Sequence, residues 1–572
     1  MAPAKTASTP GTGSPRSSSE EKSMAAVHLE SSTDAQDGEA LIIPETEGLH
    51  RKLTNRRVQL TAVGSSIGTA LFLSIGGVLN KTGPGSLFLG FAFYNIFLAL
   101  FNNCVAEMVT YMPISGSFVR LAGHWADDAL SVAVGWNFYI YSGFIVPFEI
   151  TALSFVLSYW SDDIPLAAIC AGCIVLYILI QVFAVTIYGE VEFWLTSSKC
   201  TLIVGLLFFT FITMVGGNPK HDAFGFRTWK DPGAFESYVG GGFKFEGFLA
   251  ALWSAAFTCV GPEYVSMIAA EAKHPRTYIK TAFKLVYIRQ IIFFLGGSLA
   301  VGILVPWNHP TLMAIYREGT RSASSAAASP YIIAMTDLGV KVFPNIVTAM
   351  IAACIFSAGN CNAFVATRSL YGLAQEGRAP AFLKKCTKKG IPIYAFGVTM
   401  IFPCLSFLQL SSGSATVLNW LINICTGASL VTYICICITY LSFYRACKAQ
   451  NFDRTKLPYC GWFQPWSVYL PLGLEIIIIL CYGYTTLKPF DKAGFITYYV
   501  EPMVVVAVFF GWKFIKGTKW KAPKEVDLVW MAPAITMYEE TSDDPPVGFL
   551  RDCYLGVRSI FKRSPKKNKS EV

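Results

Sequence analysis

Apolar residues in this chain gather into blocks of about twenty, at roughly 58–80, 85–111, 130–157, 166–187, 194–215, 246–270, 281–306, 331–358, 391–411, 418–442, 467–487 and 494–516. Twenty helical residues cross a hydrocarbon core of about 30 Å. In a bilayer each backbone N–H and C=O must find its partner inside the chain, so a long series of such blocks points to helices. The sequence therefore predicts an all-α polytopic membrane protein with about twelve transmembrane helices. A soluble chain of 572 residues would divide into domains with polar surfaces, and 53% hydrophobic against 15% charged residues leaves too little polar surface for that.

The first block follows a polar tail of about fifty residues, too far in for a cleavable signal peptide. Lys and Arg collect in "LHRKLTNRR" before it, at Arg368, Arg378, Lys384, Lys385, Lys388 and Lys389, and at Arg445, Lys448, Arg454 and Lys456. If every block crosses, these segments share one side, which the positive-inside rule makes the cytosol, with both termini there. The opposite turns "SDDIP" (161–165) and "SSGS" (411–414) carry neither residue. The net charge of +9 follows from this bias and calls for no nucleic-acid partner. Residues 1–50 read as a disordered tail, 51–517 as the transmembrane domain, and 518–572 as a second cytosolic tail ending in "KRSPKKNKS". Both tails are expected to be solvated, with Lys5, Lys22 and the tail serines open to modification and to trafficking or ubiquitination factors. The sixteen cysteines lie mostly inside the blocks, with no Cys/His cluster, and read as small buried hydrophobes. "NKT" at Asn80 is a glycosylation sequon that abuts the membrane and is expected to stay unused.

Two blocks are interrupted. The first has glycines at 64, 68, 76 and 77, although glycine inside a helix costs about 1 kcal/mol relative to alanine. "GSSIG" (64–68) concentrates flexible and hydroxylated residues in barely one turn. Unwinding it frees backbone groups, tolerable in a membrane only where they line a cavity or hold something. The half-helix that follows aims its positive N-terminal end at that place, which suits a carboxylate. Close packing of small residues is the competing reading for one such block alone. The sixth block repeats the interruption, with Gly261 and Pro262 followed by Glu263 in "SAAFTCVGPEYVS" (254–266). Proline frees a carbonyl about one turn back, and freed carbonyls suit an ammonium group. Paired interruptions in corresponding halves predict an inverted-repeat transporter with a midplane site. Blocks one and six then each open a set of five, with blocks eleven and twelve added.

The segments "GSSIGTALFLSIGGVLNKTGPGSL", "YGEVEFWLTSSK", "VGPEYVSMIAAEAKHPR" and "SAGNCNAFVATRSLYGLAQEGRAPAFLKK" (357–385) resemble the fungal amino-acid permeases of the amino acid–polyamine–organocation superfamily, over roughly residues 50–515. The resemblance implies a LeuT-like five-plus-five inverted repeat with two extra helices. It also implies proton-coupled uptake of a small molecule at the plasma membrane, with a proton gradient and no cofactor as the driving force. Ser65 and Ser66 stand where the family more often has a third glycine and a threonine, and Ala70 replaces a frequent glycine. "VPFEI" (146–150), "FITMVGGNPKHDAFGFR" (211–227) and "GPEY" suggest a sub-branch linked with carnitine, polyamines or transport regulation.

Carried over position by position, Ser65, Ser66, Ile67 and Gly68 present backbone N–H groups to the substrate carboxylate. Backbone around Phe257, Thr258 and Gly261 accepts from its amino end, and Phe257 gates the site. Trp420, Asn423 and Thr426 in "LNWLINICTGAS" (418–429) line one wall. Lys199, about 10 Å into span five by helical rise, takes the place of a sodium ion and exchanges a proton, with Ser357 and Asn360 as polar neighbours. A lysine snorkelling to the headgroups is the alternative. Ionisable residues inside a membrane are functional by default, which adds Glu149 and Glu263 as proton-coupling candidates. Glu107 is expected to be structural, Glu475 a packing or regulatory group, and Glu190, Glu192 and Glu271 solvated or gating groups at cytosolic helix ends. No phosphate loop, metal cluster or nucleophile motif indicates an enzyme or an ATP-driven pump. The competing function is a nutrient receptor in a permease fold, although such relatives tend to carry a much longer N-terminal tail.

Overall fold

The computed structural model describes residues 51–561 except 52, 65–66, 162, 184, 237–242, 318–328, 388–390, 488–489 and 543–544. The tail with Lys5 and Lys22, the pair Ser65 and Ser66, the Glu190 side chain and the "KRSPKKNKS" end lie outside the described residues. Among those described there is no β-strand, only two isolated bridges. Among the described residues ten helices are long and apolar enough to cross a bilayer, and Leu166–Val182 is a shorter apolar one. The 42-residue run Ala70–Tyr111 holds two crossings. They meet at Gly83, whose φ of 77° suits glycine and where a Cβ would come within 2.8 Å of the Ala234 carbonyl. The described residues thus contain the twelve crossings expected.

Helix Asp128–Leu157 is the centre, packed along both Phe343–Gln375 and Ser414–Ala449. Its start is fixed by Asp127, whose side chain accepts the Ala129 N–H at 3.0 Å and pairs with Lys513 of the last span. These three helices form a frame beside both interrupted spans. Lys244–Thr258 lies along Ile75–Tyr111, and the half-helix Asn55–Gly64 rests on Val185–Met214 and Pro275–Arg289. Spans eleven and twelve, Trp466–Cys481 and Lys492–Lys516, pack on the tenth and expose Ile477, Leu480, Val506 and Phe510. Glu475 is buried there and accepts the Tyr94 hydroxyl at 3.0 Å, which ties span eleven to span two.

The half-helix Asn55–Gly64 approaches span five so closely that a Cβ on Gly64 would overlap the Thr196 side chain. Overpacking of this kind costs about 1–3 kcal/mol. Gly64→Val should therefore lower the melting temperature of the purified protein, and adding Thr196→Ala should restore most of the loss. An unchanged melting temperature in the single variant would refute the contact.

Two expectations need correction. The eighth span is Phe343–Gln375, not 331–358; Pro330–Asp337 is a separate short helix, and Pro344 starts the long one. Apolar composition runs through both helices and hides the turn between them. The second correction concerns the C-terminal segment after 518, whose described part packs on the side carrying the Lys- and Arg-rich turns. Val526, Leu528, Ala532 and Ile535 are buried there. The Leu528 carbonyl accepts the Tyr111 hydroxyl at 2.8 Å, Glu539 accepts the Arg276 N–H at 2.9 Å, and the Val547 carbonyl accepts the Asn55 amide at 2.8 Å. Trp530 stacks on His124 with ring centres 3.8 Å apart, and burial holds that imidazole down at about 4, so it stacks uncharged at neutral pH. On the same side Glu107, fully buried, receives two Arg454 nitrogens at 2.7 Å each and the Tyr440 hydroxyl at 2.9 Å, a structural pair as expected. Glu271 offers its carbonyl to the Leu53 N–H at 2.8 Å. Asn80 is fully buried and donates to the Trp307 carbonyl at 2.8 Å, which leaves its amide no room for a glycan.

Candidate functional site

Both interruptions are real breaks. The first span is helical to Gly64, non-helical at Ile67 and Gly68, and helical again from Thr69. The sixth stops at Thr258 and resumes at Pro262, with Gly261 between them at φ 144°, a conformation open to glycine. Each break leaves a helix C-terminus on one side and a helix N-terminus on the other, with about half an elementary charge at each end.

An acid faces each N-terminal end. Glu149, 3% exposed, comes from the central helix and accepts the Thr69 hydroxyl. A Cβ on Gly68 would meet its Oε1 at 3.4 Å. The Glu263 carboxylate folds back to accept the Gly261 N–H at 3.1 and 3.2 Å and the Tyr433 hydroxyl at 2.9 Å. One cation serves both C-terminal ends. Arg289 of span seven, 2% exposed, donates to the Ala62 carbonyl at 2.7 Å and to the Val260 carbonyl at 2.9 Å. Arg289 is not among the residues the sequence singles out, although the rule that selects Lys199 applies to it equally.

Lys199 is 1% exposed, so its ammonium does not reach the protein surface. It lies close enough to Glu149 and Glu192 for their charges to act on one another. Ser357 donates to Glu192 at 3.1 Å, and Asn360 accepts from Gln181, with its backbone carbonyl at 2.9 Å. Glu192, expected as a solvated or gating helix-end group, is thereby joined to span eight beside the lysine. Thr258 offers its carbonyl to the Val260 N–H at 3.1 Å, so the backbone expected to receive an ammonium group already has internal partners at Thr258 and Val260.

A cavity of about 190 Å³ lies on the far side of the breaks from the basic turns. It is bounded by Ser74 and Val78 of the resumed first span, Trp253 and Phe257 of the sixth, Asn423 of the tenth, and Tyr498 of the twelfth. Phe257 also packs edge-on against Phe148 with centroids 5.3 Å apart, and so links the cavity wall to the residue beside Glu149. Of the expected tenth-span wall, only Asn423 lines this cavity, together with Leu418, Asn419 and Ile422. Trp420 and Thr426 do not line this cavity. Trp420 lies about 100° round the helix from Asn419, and Thr426 is fully buried with its hydroxyl on the Ile422 carbonyl at 2.6 Å.

Comparison with known sequences adds a family. The family model described as amino acid permease matches residues 57–525. The general amino acid permease AGP2 of Saccharomyces cerevisiae is 41% identical over 489 residues, covering 83% of this chain and 81% of its own. The dicarboxylic amino acid permease of the same yeast is 34% identical over 494 residues, 85% of this chain and 80% of its own. A proline-specific permease of Emericella nidulans is 34% identical over 493 residues, 85% and 89%.

Proposed function

We propose, for a chain that belongs to the amino acid permease family, that this amino-acid transporter takes up its substrate with a proton across the plasma membrane by alternating access around the two breaks. Both termini then face the cytosol, the side of the basic turns. The observation that carries this reading is the position of Glu149 at the N-terminal end of the resumed first span, bonded to Thr69 and in reach of Gly68. A substrate carboxylate seeking the N–H groups of Ile67 and Gly68 meets the Glu149 charge there. Protonating Glu149 removes the repulsion, so carboxylate and proton arrive together. Phe257 closes over the substrate from the cavity, and Asn423 reaches it from the tenth span. Ser65 and Ser66 complete the carboxylate cradle, and Glu263 holds the unwound sixth-span segment.

Lys199 supports the coupling by balancing Glu149 when the acid is charged, with Ser357 and Asn360 of span eight beside it. Removing the cation leaves a buried carboxylate without its counter-charge, which costs several kcal/mol. Lys199→Ala should therefore lower concentrative uptake at least about tenfold at unchanged surface abundance. Wild-type accumulation in that variant would remove Lys199 from the coupling.

The names of the relatives include dicarboxylic, proline and lysine/arginine permeases, so the substrate has to be measured. The direct test is uptake of labelled neutral, acidic and basic amino acids, proline, carnitine and spermidine by cells lacking their own permeases. It is run at several external pH values, with and without a protonophore. Saturable, protonophore-sensitive uptake of an amino acid supports the proposal. Uptake of carnitine or spermidine alone moves the chain to the sub-branch linked with carnitine and polyamines. No uptake from protein present at the surface favours a nutrient sensor that regulates transport.

A further inference from the structure

The Arg289 guanidinium is buried between two carbonyls that lie 198 positions apart in the chain. The Ala62 carbonyl belongs to the last turn of Asn55–Gly64, and the Val260 carbonyl to the sixth-span break. Both lie at C-terminal helix ends, where the peptide dipoles leave about half a negative charge each. The rigid fork of donors on one arginine can serve both at once, which a lysine ammonium on a flexible stem does less well. The space it occupies exists because residue 261 is glycine: any Cβ there would overlap both terminal guanidinium nitrogens. Glu263, just beyond, adds an opposite charge close enough to act on the guanidinium.

We propose that Arg289 is a positioning residue that latches the first half-helix to the sixth-span break, and that its bond to Ala62 opens whenever this half-helix moves. The proposal rests on the transport reading above. Asn55–Gly64 lies on the basic side, and Ile67 and Gly68, between it and the next helix, are non-helical. It can pivot there without unwinding. Packing on spans five and seven and neutral bonds at its start, such as Gln59 to the Tyr278 carbonyl at 2.9 Å, hold its first turns, whereas its last turn is held by the charge-assisted bond from Arg289 to the Ala62 carbonyl. Such bonds are directional and are lost over a small displacement, so the latch is either closed or open. Because the same guanidinium holds Val260, releasing Ala62 also changes the field at the sixth-span break. The two breaks are thereby made to respond together.

The test is hydrogen–deuterium exchange of the full-length protein in lipid nanodiscs, without substrate, in wild type, Arg289→Met and Arg289→Lys. Exchange in peptides covering 55–64 should rise at least about tenfold in Arg289→Met and by less in Arg289→Lys, while the central helix Asp128–Leu157 stays protected. If Arg289→Met yields no folded protein, Arg289→Lys carries the same comparison. Unchanged exchange at 55–64, or a rise spread evenly over all spans, would overturn the latch. Exchange is read without any substrate, so a failure to find a transported molecule leaves this result standing. Where a substrate is found, Arg289→Lys should alter maximal rate and KM unequally; wild-type values for both would also overturn the proposal.

Discussion

Glu149→Gln should abolish pH-driven accumulation while leaving exchange of substrate across the membrane. Glutamine keeps the size of the side chain and a carbonyl oxygen for the Thr69 hydroxyl, but it cannot carry the charge that a proton removes. For one proton per substrate, each unit of pH difference supports about 1.4 kcal/mol, a tenfold concentration ratio. Wild-type accumulation should therefore climb as the external medium is acidified. In the glutamine variant the ratio should settle near one and stay flat with pH. Counterflow, in which labelled substrate enters against unlabelled substrate already inside, needs no proton and should persist. Measuring both in reconstituted vesicles separates loss of coupling from loss of folding. Steep pH-dependent accumulation by the variant would place the coupling proton elsewhere.

Gly68→Leu should eliminate substrate binding, whereas Gly68→Ala should retain much of it. A Cβ at this position meets Glu149 Oε1 at 3.4 Å, an ordinary contact. The three further carbons of leucine must then enter the carboxylate cradle or push Glu149 from Thr69. Forcing extra methylenes into a packed site costs about 1–3 kcal/mol in strain alone. Blocking the N–H groups of the half-helix removes the substrate's anion contacts as well. Together these should lower affinity at least about 100-fold, read as equilibrium binding of the labelled substrate to purified protein. Equal affinity in the leucine variant would show that the substrate does not use the first break.

Both breaks were legible because their causes are local. Glycine with serine in the first span, and glycine with proline in the sixth, change backbone preference wherever they fall. The deep acid Glu149 was legible for a similar reason, since a lone carboxyl amid apolar residues has to be accounted for. Arg289 was harder, because its meaning depends on two carbonyls from distant spans, and a backbone oxygen leaves no trace in residue type. On the tenth span Asn423 lines the cavity, whereas Thr426 shares the face of Leu418, Asn419 and Ile422 but lies nearly one turn further along, with its hydroxyl on the Ile422 carbonyl, a depth that spacing in the chain does not reveal. The start of the eighth span was obscured by hydropathy, which rises equally over a short outer helix and over a crossing. The packed C-terminal segment was hidden by its charge, because a few buried side chains such as Val526 and Ile535 are enough to seat it.

That C-terminal seat has a consequence for how the molecule is made. Asn55 and Arg56, at the start of the first half-helix, bond to Val547 and Asp552, partners 492 and 496 residues later in the chain. A ribosome adding about 5–20 residues per second needs roughly 25 to 100 seconds to cover that distance. Throughout this interval the earliest membrane segment waits without its cover, and a chain released before residue 547 never receives it. Quality control of synthesis therefore has a physical mark to read: the start of the first half-helix is covered only once the segment from Val547 to Asp552 has been made.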